Sequence, residues 1–401
     1  EFASERLRND KEIVLQAVKE FGSALRYASE ELRNDKNIAM AAVQQYGCAL
    51  EFASERLRND KEIVLQAVKE FGSALRYASE ELRNDKNIAM AAVQQYGCAL
   101  EFVSDKLRNN KSITLAAIRQ DGAVLEYASE KLRNNKKIVL SAVKQSEWAL
   151  AYASDKLRSN KNIVMDAVRQ YGYSLKYASK ELHNDKNVVM LAVQQNGFAL
   201  AYASERLCND KEVVMTAVTQ HGLALQYASE RLCNDKEVVM TAVTRHGLAL
   251  QYASEELRND KETILTFVKH NGKVLEYVPE ELRNDKEVVL NAVQQNGMAL
   301  GSTFGKWWDD KDIVMEAVKQ NGTALMYASK ELQDDKEIAL AALQNGSDMF
   351  IHVSPRLQHD QEVQKAAGLE PDIDTVLGDA KKWCQEHNDA PTVQPQHNIE
   401  R

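Results

Sequence analysis

Apolar residues recur along this chain with two periods, one nested in the other. Within each stretch of 25 residues, positions 13, 14, 17 and 18 are apolar in nearly every copy (Ile13, Val14, Ala17, Val18; Val213, Val214, Ala217, Val218). This is the i, i+1, i+4, i+5 spacing of one helical face. The unit itself repeats fifteen times without insertion or deletion, from EFASERLRNDKEIVLQAVKEFGSAL at residues 1–25 to the copy that begins at Ile351. Residues 1–50 recur letter for letter as residues 51–100. A fixed period of this size predicts a stacked array, because one such unit is too small to bury a core and must share its core with its neighbours.

The pattern predicts a longer helix over roughly positions 10 to 20. Asn9 and Asp10 are its expected N-terminal caps, with Glu12 at capping-box spacing from Asn9. Gly22 is its expected left-handed stop, and Gly stands at this position in 12 of the 14 copies that reach it. A shorter, less regular second helix follows, with Leu25, Ala28 and Leu32 on one face. Pro279 at position 4 and Pro355 at position 5 predict a break there, with Ser354 as an N-cap, followed by a single helical turn ending at Leu7. Ala occupies position 17 in 14 of 15 copies, which marks a close helix approach, and Phe267 is the exception.

The fold expected is therefore all-α: an α-solenoid of fifteen 25-residue two-helix repeats, curved to the right or to the left. The array covers residues 1–368. In its last copy Gln364, Lys365 and Gly368 replace apolar residues and are expected to form a polar outer side. A C-terminal capping helix is expected within 369–387, with Val376, Leu377, Ala380, Trp383 and Cys384 on one face, and a disordered tail over 388–401. The first copy lacks a polar cap, so the array is expected to continue beyond this segment or to associate head to tail.

Composition narrows the function classes. The net charge is -8 with both signs interspersed, which argues against a nucleic-acid surface. The apolar run around Ile38–Val43 is far short of the roughly 20 residues that span a bilayer. The five cysteines are an odd number, and Cys208 and Cys233 lie one repeat apart, beyond disulfide reach at the spacing of packed helices. Free thiols in an intracellular, reducing compartment are expected. The eight histidines are scattered, and Asp10 and Lys11 recur as a charged ladder. An active site needs a unique constellation, so no catalytic residue, metal or cofactor is expected.

Position 23 varies most informatively. It reads Ser23, Cys48, Ser73, Cys98 and Ala123, then Trp148, Tyr173, Phe198, Leu223, Leu248 and Met298, interrupted by Lys273. Two readings stand: an apolar stripe that receives a partner segment, or satellite core in which these side chains pack on one another. One copy departs sharply, with GSTFGKWWDD at residues 301–310. There Trp307 takes the place of the Leu anchor and Trp308 is expected to point outward, as a contact point or as part of a repacked joint with Phe304.

The motif carried by Leu282–Gln295 and on through Gly297, with its Leu-Arg-Asn-Asp-Lys and Gln-Asn-Gly elements, resembles a tandem repeat family catalogued as a domain of unknown function. Its members occur in unicellular eukaryotes, large viruses and effector proteins of intracellular bacteria. The resemblance implies no catalytic residues, cofactor or substrate, and by analogy with other helical scaffolds it implies binding. The expectation is a non-enzymatic scaffold or protein-protein interaction module that binds a protein partner, with Trp308 added to the stripe. The alternatives are a targeting array for an enzymatic domain outside this segment and, ranked below it, a nucleic-acid-binding helical repeat.

Overall fold

The computed structural model describes residues 4–369 and is all-α, a solenoid of repeats built from the same helical pieces. The first repeats show the pattern. A one-turn α-helix at Glu30–Arg33 leads to a ten-residue α-helix at Lys36–Gln45 and a 3-10 helix at Gly47–Phe52. The second arm of each helix pair is thus a 3-10 helix and a single α-turn, separated by two extended residues. The break predicted near position 4 is present, with Ser29 capping the turn through the Leu32 amide. Two compact units are distinguished, Glu1–Ser229 and Glu230–Arg401, and each is stacked by the same rules. The capping helix expected within 369–387 and the tail over 388–401 lie outside the described residues, Leu369 apart.

Position 10, not position 9, caps the long helix. Asp35 accepts hydrogen bonds from the amides of Asn37 and Ile38, while Asn34 ends the preceding turn and accepts from the Ser54 hydroxyl of the next repeat at 2.6 Å. The capping box expected from Asn9 therefore does not form. Asn9 likewise accepts from Ser29 in the following repeat.

Gly22 also has a different role from the one its position suggests. Among the described residues only Gly368 has positive φ in the left-handed region, at 74°. The long helix ends instead on an extended residue, Phe21. Gly22 and its counterparts are required by contact: a Cβ on Gly22 would lie 2.5 Å from the Ala42 carbonyl oxygen, and one on Gly72 would lie 2.4 Å from that of Ala92. The two small residues, Gly at position 22 and Ala at position 17 of the next repeat, make one close approach. Where Phe267 replaces that Ala, the approach opens, and a Cβ on Gly247 would meet nothing nearer than 3.5 Å. Phe267 is fully buried there and lines a cleft of about 150 Å³ with Met240 and Thr263.

The other signature residues also serve stacking. Gln95 clamps the preceding repeat, accepting from the Gly72 amide at 2.6 Å and donating to the Glu70 carbonyl at 3.2 Å; Gln295 and Gln320 do the same. Position 8 supplies a hydrogen-bonding side chain to the carbonyl eight residues earlier, whether it is His183, Cys208, Trp308, Gln333 or Gln358. In repeats that carry Arg here, such as Arg58 and Arg83, Nε is buried without a hydrogen-bond partner. At the C-terminal end Gln364 is buried and donates to the Gln358 carbonyl, so it faces inward instead of forming a polar outer side.

The charged ladder is realised between repeats. Lys11 reaches Asp35, Lys36 reaches Asp60 and Lys61 reaches Asp85, at 2.6 to 2.9 Å, and the same pairing continues at Lys261–Asp285 and Lys311–Asp335. The Lys hydrogen bond, helped by two backbone amides, holds the Asp35 and Asp85 carboxyls below the usual carboxylate range. At Asp60, Asp185 and Asp310 burial acts first, in the opposite sense, and the lysine and amide bonds outweigh it. A folded-state pKa below the unfolded value of about 3.9 adds stability above that value and loses it as pH falls through the folded one. Far-UV circular dichroism should therefore show flat stability between about pH 5 and 8 and a cooperative loss of helix below about pH 4. Loss that begins well above pH 5 would contradict the role given to these aspartates.

Candidate functional site

The 3-10 helices carry the most varied exposed side chains. Position 23 is the second residue of most of these helices, and at Trp148 it directly precedes the shortened one, Ala149–Tyr152. The structure leaves Trp148 exposed, while Tyr173, Phe198, Leu223, Leu248 and Met298 are half-buried. Their ring contacts are not with one another. Trp148 packs against Tyr177 with ring centres 6.0 Å apart, and Tyr173 meets Tyr202 edge-on at 5.1 Å. Phe198 stacks on His221 at 4.9 Å. The Tyr202 hydroxyl donates to that of Tyr173, and burial followed by this bond pushes the Tyr202 phenol well above its usual range.

The partners Tyr177 and Tyr202 belong to a feature that the sequence reading passed over: position 2 is Phe or Tyr in 13 of the 15 copies. Its signal is constancy at a fixed spacing, concealed beside the more variable position 23. Cations cover these rings. Arg26 lies 5.3 and 5.4 Å from the ring centres of Tyr27 and Phe52, and Lys176 lies 5.8 and 5.6 Å from those of Tyr173 and Tyr177. The result is a surface of half-buried rings with cationic edges, able to make stacking, apolar and hydrogen-bonding contacts. The Tyr177 hydroxyl is buried beside this surface with no hydrogen-bond partner.

Around Trp148 the repeat is irregular. Glu147 stands where Gly is usual, and the long helix before it is shortened to Lys136–Val143, as Lys111–Ile118 is in the preceding repeat. Ser174, almost fully buried, donates to the Glu147 carbonyl at 3.1 Å.

Trp308 lies apart from the stripe, on the one-turn helix Gly305–Trp308. It is 36% exposed, and its indole N–H donates to the Leu300 carbonyl at 3.1 Å, so the ring lies back over the 3-10 helix while one side stays open. Trp307 is buried, and its indole donates to the Arg283 carbonyl. Phe304, standing where Ser usually links to the preceding repeat, takes the Arg283 guanidinium on its ring at 5.0 Å. Both readings of this copy thus have a basis, a repacked joint with one exposed ring edge.

Among the described residues no group of three His, Cys, Asp or Glu side chains is placed to hold a metal ion, and no helix is long and apolar enough to cross a membrane. Cys48, Cys98 and Cys208 are free thiols, and burial raises the Cys208 thiol above its usual range.

Comparison with known families places the domain of unknown function DUF4116 on residues 1–33, 10–58, 35–83, 60–108, 85–133, 110–158, 135–183, 185–233, 210–258, 260–303 and 310–362. Successive matches advance mostly by one 25-residue repeat. No curated protein matches the chain significantly.

Proposed function

Because the chain belongs to the DUF4116 family of tandem repeats, we propose a role read from what stacking leaves over: a non-enzymatic scaffold that holds a protein partner on its 3-10 face. The observation that supports it is a division of labour. Positions 4, 9, 10, 11, 17, 20 and 22, held by residues such as Ser29, Asn9, Asp35, Lys11, Ala42, Gln95 and Gly22, join repeat to repeat. Position 23 instead changes from Ser and Ala to Trp, Tyr, Phe, Leu and Met. In the first unit the surface comprises Trp148, Tyr173, Phe198 and Leu223; in the second it comprises Leu248 and Met298, with Trp308 as a separate contact. Large aromatic side chains supply contact area at low entropic cost and are frequent at interface hot spots. An intracellular, reducing setting fits the free thiols.

The double variant Trp148→Glu/Phe198→Glu should keep its helicity and lose about ten-fold or more in partner recovery, the size expected for truncating hot-spot aromatics. Quantitative pull-down beside wild type, with circular dichroism as the folding control, checks this. Undiminished recovery by a folded variant would refute the surface.

A further inference from the structure

We infer that repeats four to seven carry a second docking surface, an unpaired lysine edge that takes an extended acidic polypeptide segment. Elsewhere the position-11 lysine typically has a carboxylate one repeat ahead, at position 10 and often also at position 12: Lys36 meets both Asp60 and Glu62, and Lys186 meets both Asp210 and Glu212. For Lys86, Lys111 and Lys136 the position-10 residues are Asn110, Asn135 and Asn160, and the position-12 residues are Ser112, Lys137 and Asn162. Both sources of negative charge are missing in three consecutive repeats. Among the described residues no ion pair forms at these lysines, and all three are exposed.

The substitution is selective. Asn110 accepts hydrogen bonds from the Ser112 and Ile113 amides, and Asn135 accepts from the Lys137 and Ile138 amides, just as Asp does in other repeats. Asn and Asp are equally good N-caps. The cap is therefore kept and only the charge is removed, so folding alone does not account for the change. Position 6, which alternates between Arg and Glu over the first four repeats, is Lys in all three of these, and Lys106, Lys131 and Lys156 are exposed. The neighbouring Asp105 and Asp155 are engaged by Arg108 and Arg158 of their own turns, and so do not neutralise these lysines. Residues 101–200 hold sixteen Lys and Arg against ten Asp and Glu, a net +6, which leaves -14 on the rest of a chain whose total is -8. Toward the N-terminus the edge ends at Lys106, which lines a cleft with Glu80, Glu81 and Glu101, where carboxylates return.

Spacing selects the partner. Packed helices advance by about 8–10 Å per repeat. An extended polypeptide rises about 3.3 Å per residue, so a carboxylate at every third residue meets one repeat after another. Duplex DNA presents a charge about every 1.7 Å, a density that lysines recurring once per repeat at each position do not match. This edge uses repeat positions 6, 11 and 12, not those of the aromatic face, and does not depend on the function proposed for that face.

The test restores the ladder. In the full chain, Asn110→Asp/Asn135→Asp/Asn160→Asp puts back residues that other repeats carry, so it should melt no lower than wild type. Fluorescence anisotropy with a dye-labelled peptide of repeated Glu-Ser-Thr should show binding to wild type that weakens with salt and falls about ten-fold in the triple variant. A second variant, Lys111→Gln/Lys131→Gln/Lys136→Gln, should show the same loss without added carboxylates. Three results would overturn the inference: no binding to wild type, equal binding by wild type and both variants, or tighter binding of single-stranded oligo-dT than of the peptide.

Discussion

Gly72→Ala is expected to destabilise the array by about 1–3 kcal/mol, while Gly247→Ala, at the same repeat position, should be neutral or stabilising by about 0.4–1 kcal/mol. Neither glycine has a backbone conformation that an L side chain rarely adopts, so conformational strain does not separate them. The difference lies in the neighbour. At Gly72 the new methyl would lie 2.4 Å from a backbone oxygen that can move only with its helix, whereas at Gly247 Phe267 has already opened the joint. Where the new methyl makes only ordinary van der Waals contacts, the substitution stiffens the unfolded chain, which favours folding. Thermal or urea melts of both variants beside wild type decide the matter. Equal destabilisation of the two would show that the close approach to the next repeat does not set the cost.

Leu57→Ala should cost about 2–5 kcal/mol, and Leu7→Ala much less. Both are the position-7 anchor of identical sequences, since residues 1–50 and 51–100 are the same. Leu57, with a described repeat before it, is fully buried, and Leu7 is 42% exposed. Sequence identity with different burial makes this pair an internal control: the cost of the cavity is set by the neighbour, not by the residue. Denaturant midpoints measure the two costs. Because stability in a stacked array is shared between adjacent interfaces, the Leu57 change should also weaken protection of the flanking repeats in hydrogen exchange. Similar costs for the two variants would mean that the first repeat is buried by some other contact.

Much of this architecture is legible in the residues. Apolar positions 13, 14, 17 and 18 mark the long helix, and Pro279 and Pro355 mark the break in the second arm. What escapes is information that exists only between repeats. A nearly invariant Gly says that a Cβ is excluded, but not whether φ or a neighbour excludes it; the Ala42 oxygen above Gly22 answers that. His, Cys, Trp and Gln at position 8 look unrelated until their common ability to donate meets the carbonyl eight residues back. The same holds for the surfaces. Position 23 stands out because it varies, the aromatic position 2 is concealed because it does not, and the unpaired lysines emerge only once each Lys is matched with an Asp 24 residues later.

The links between repeats span fixed numbers of residues: 20 from Asn9 to Ser29, 24 from Lys11 to Asp35, and 25 from Glu20 to Gln45. A single inserted or deleted residue would shift every one of these partners at once, while gain or loss of a complete unit leaves each link facing an equivalent group. The chain is therefore quantised in length. It can grow or shrink in steps of one repeat and keep its joints, which explains why the fourteen copies that reach position 23 differ there without one change of spacing.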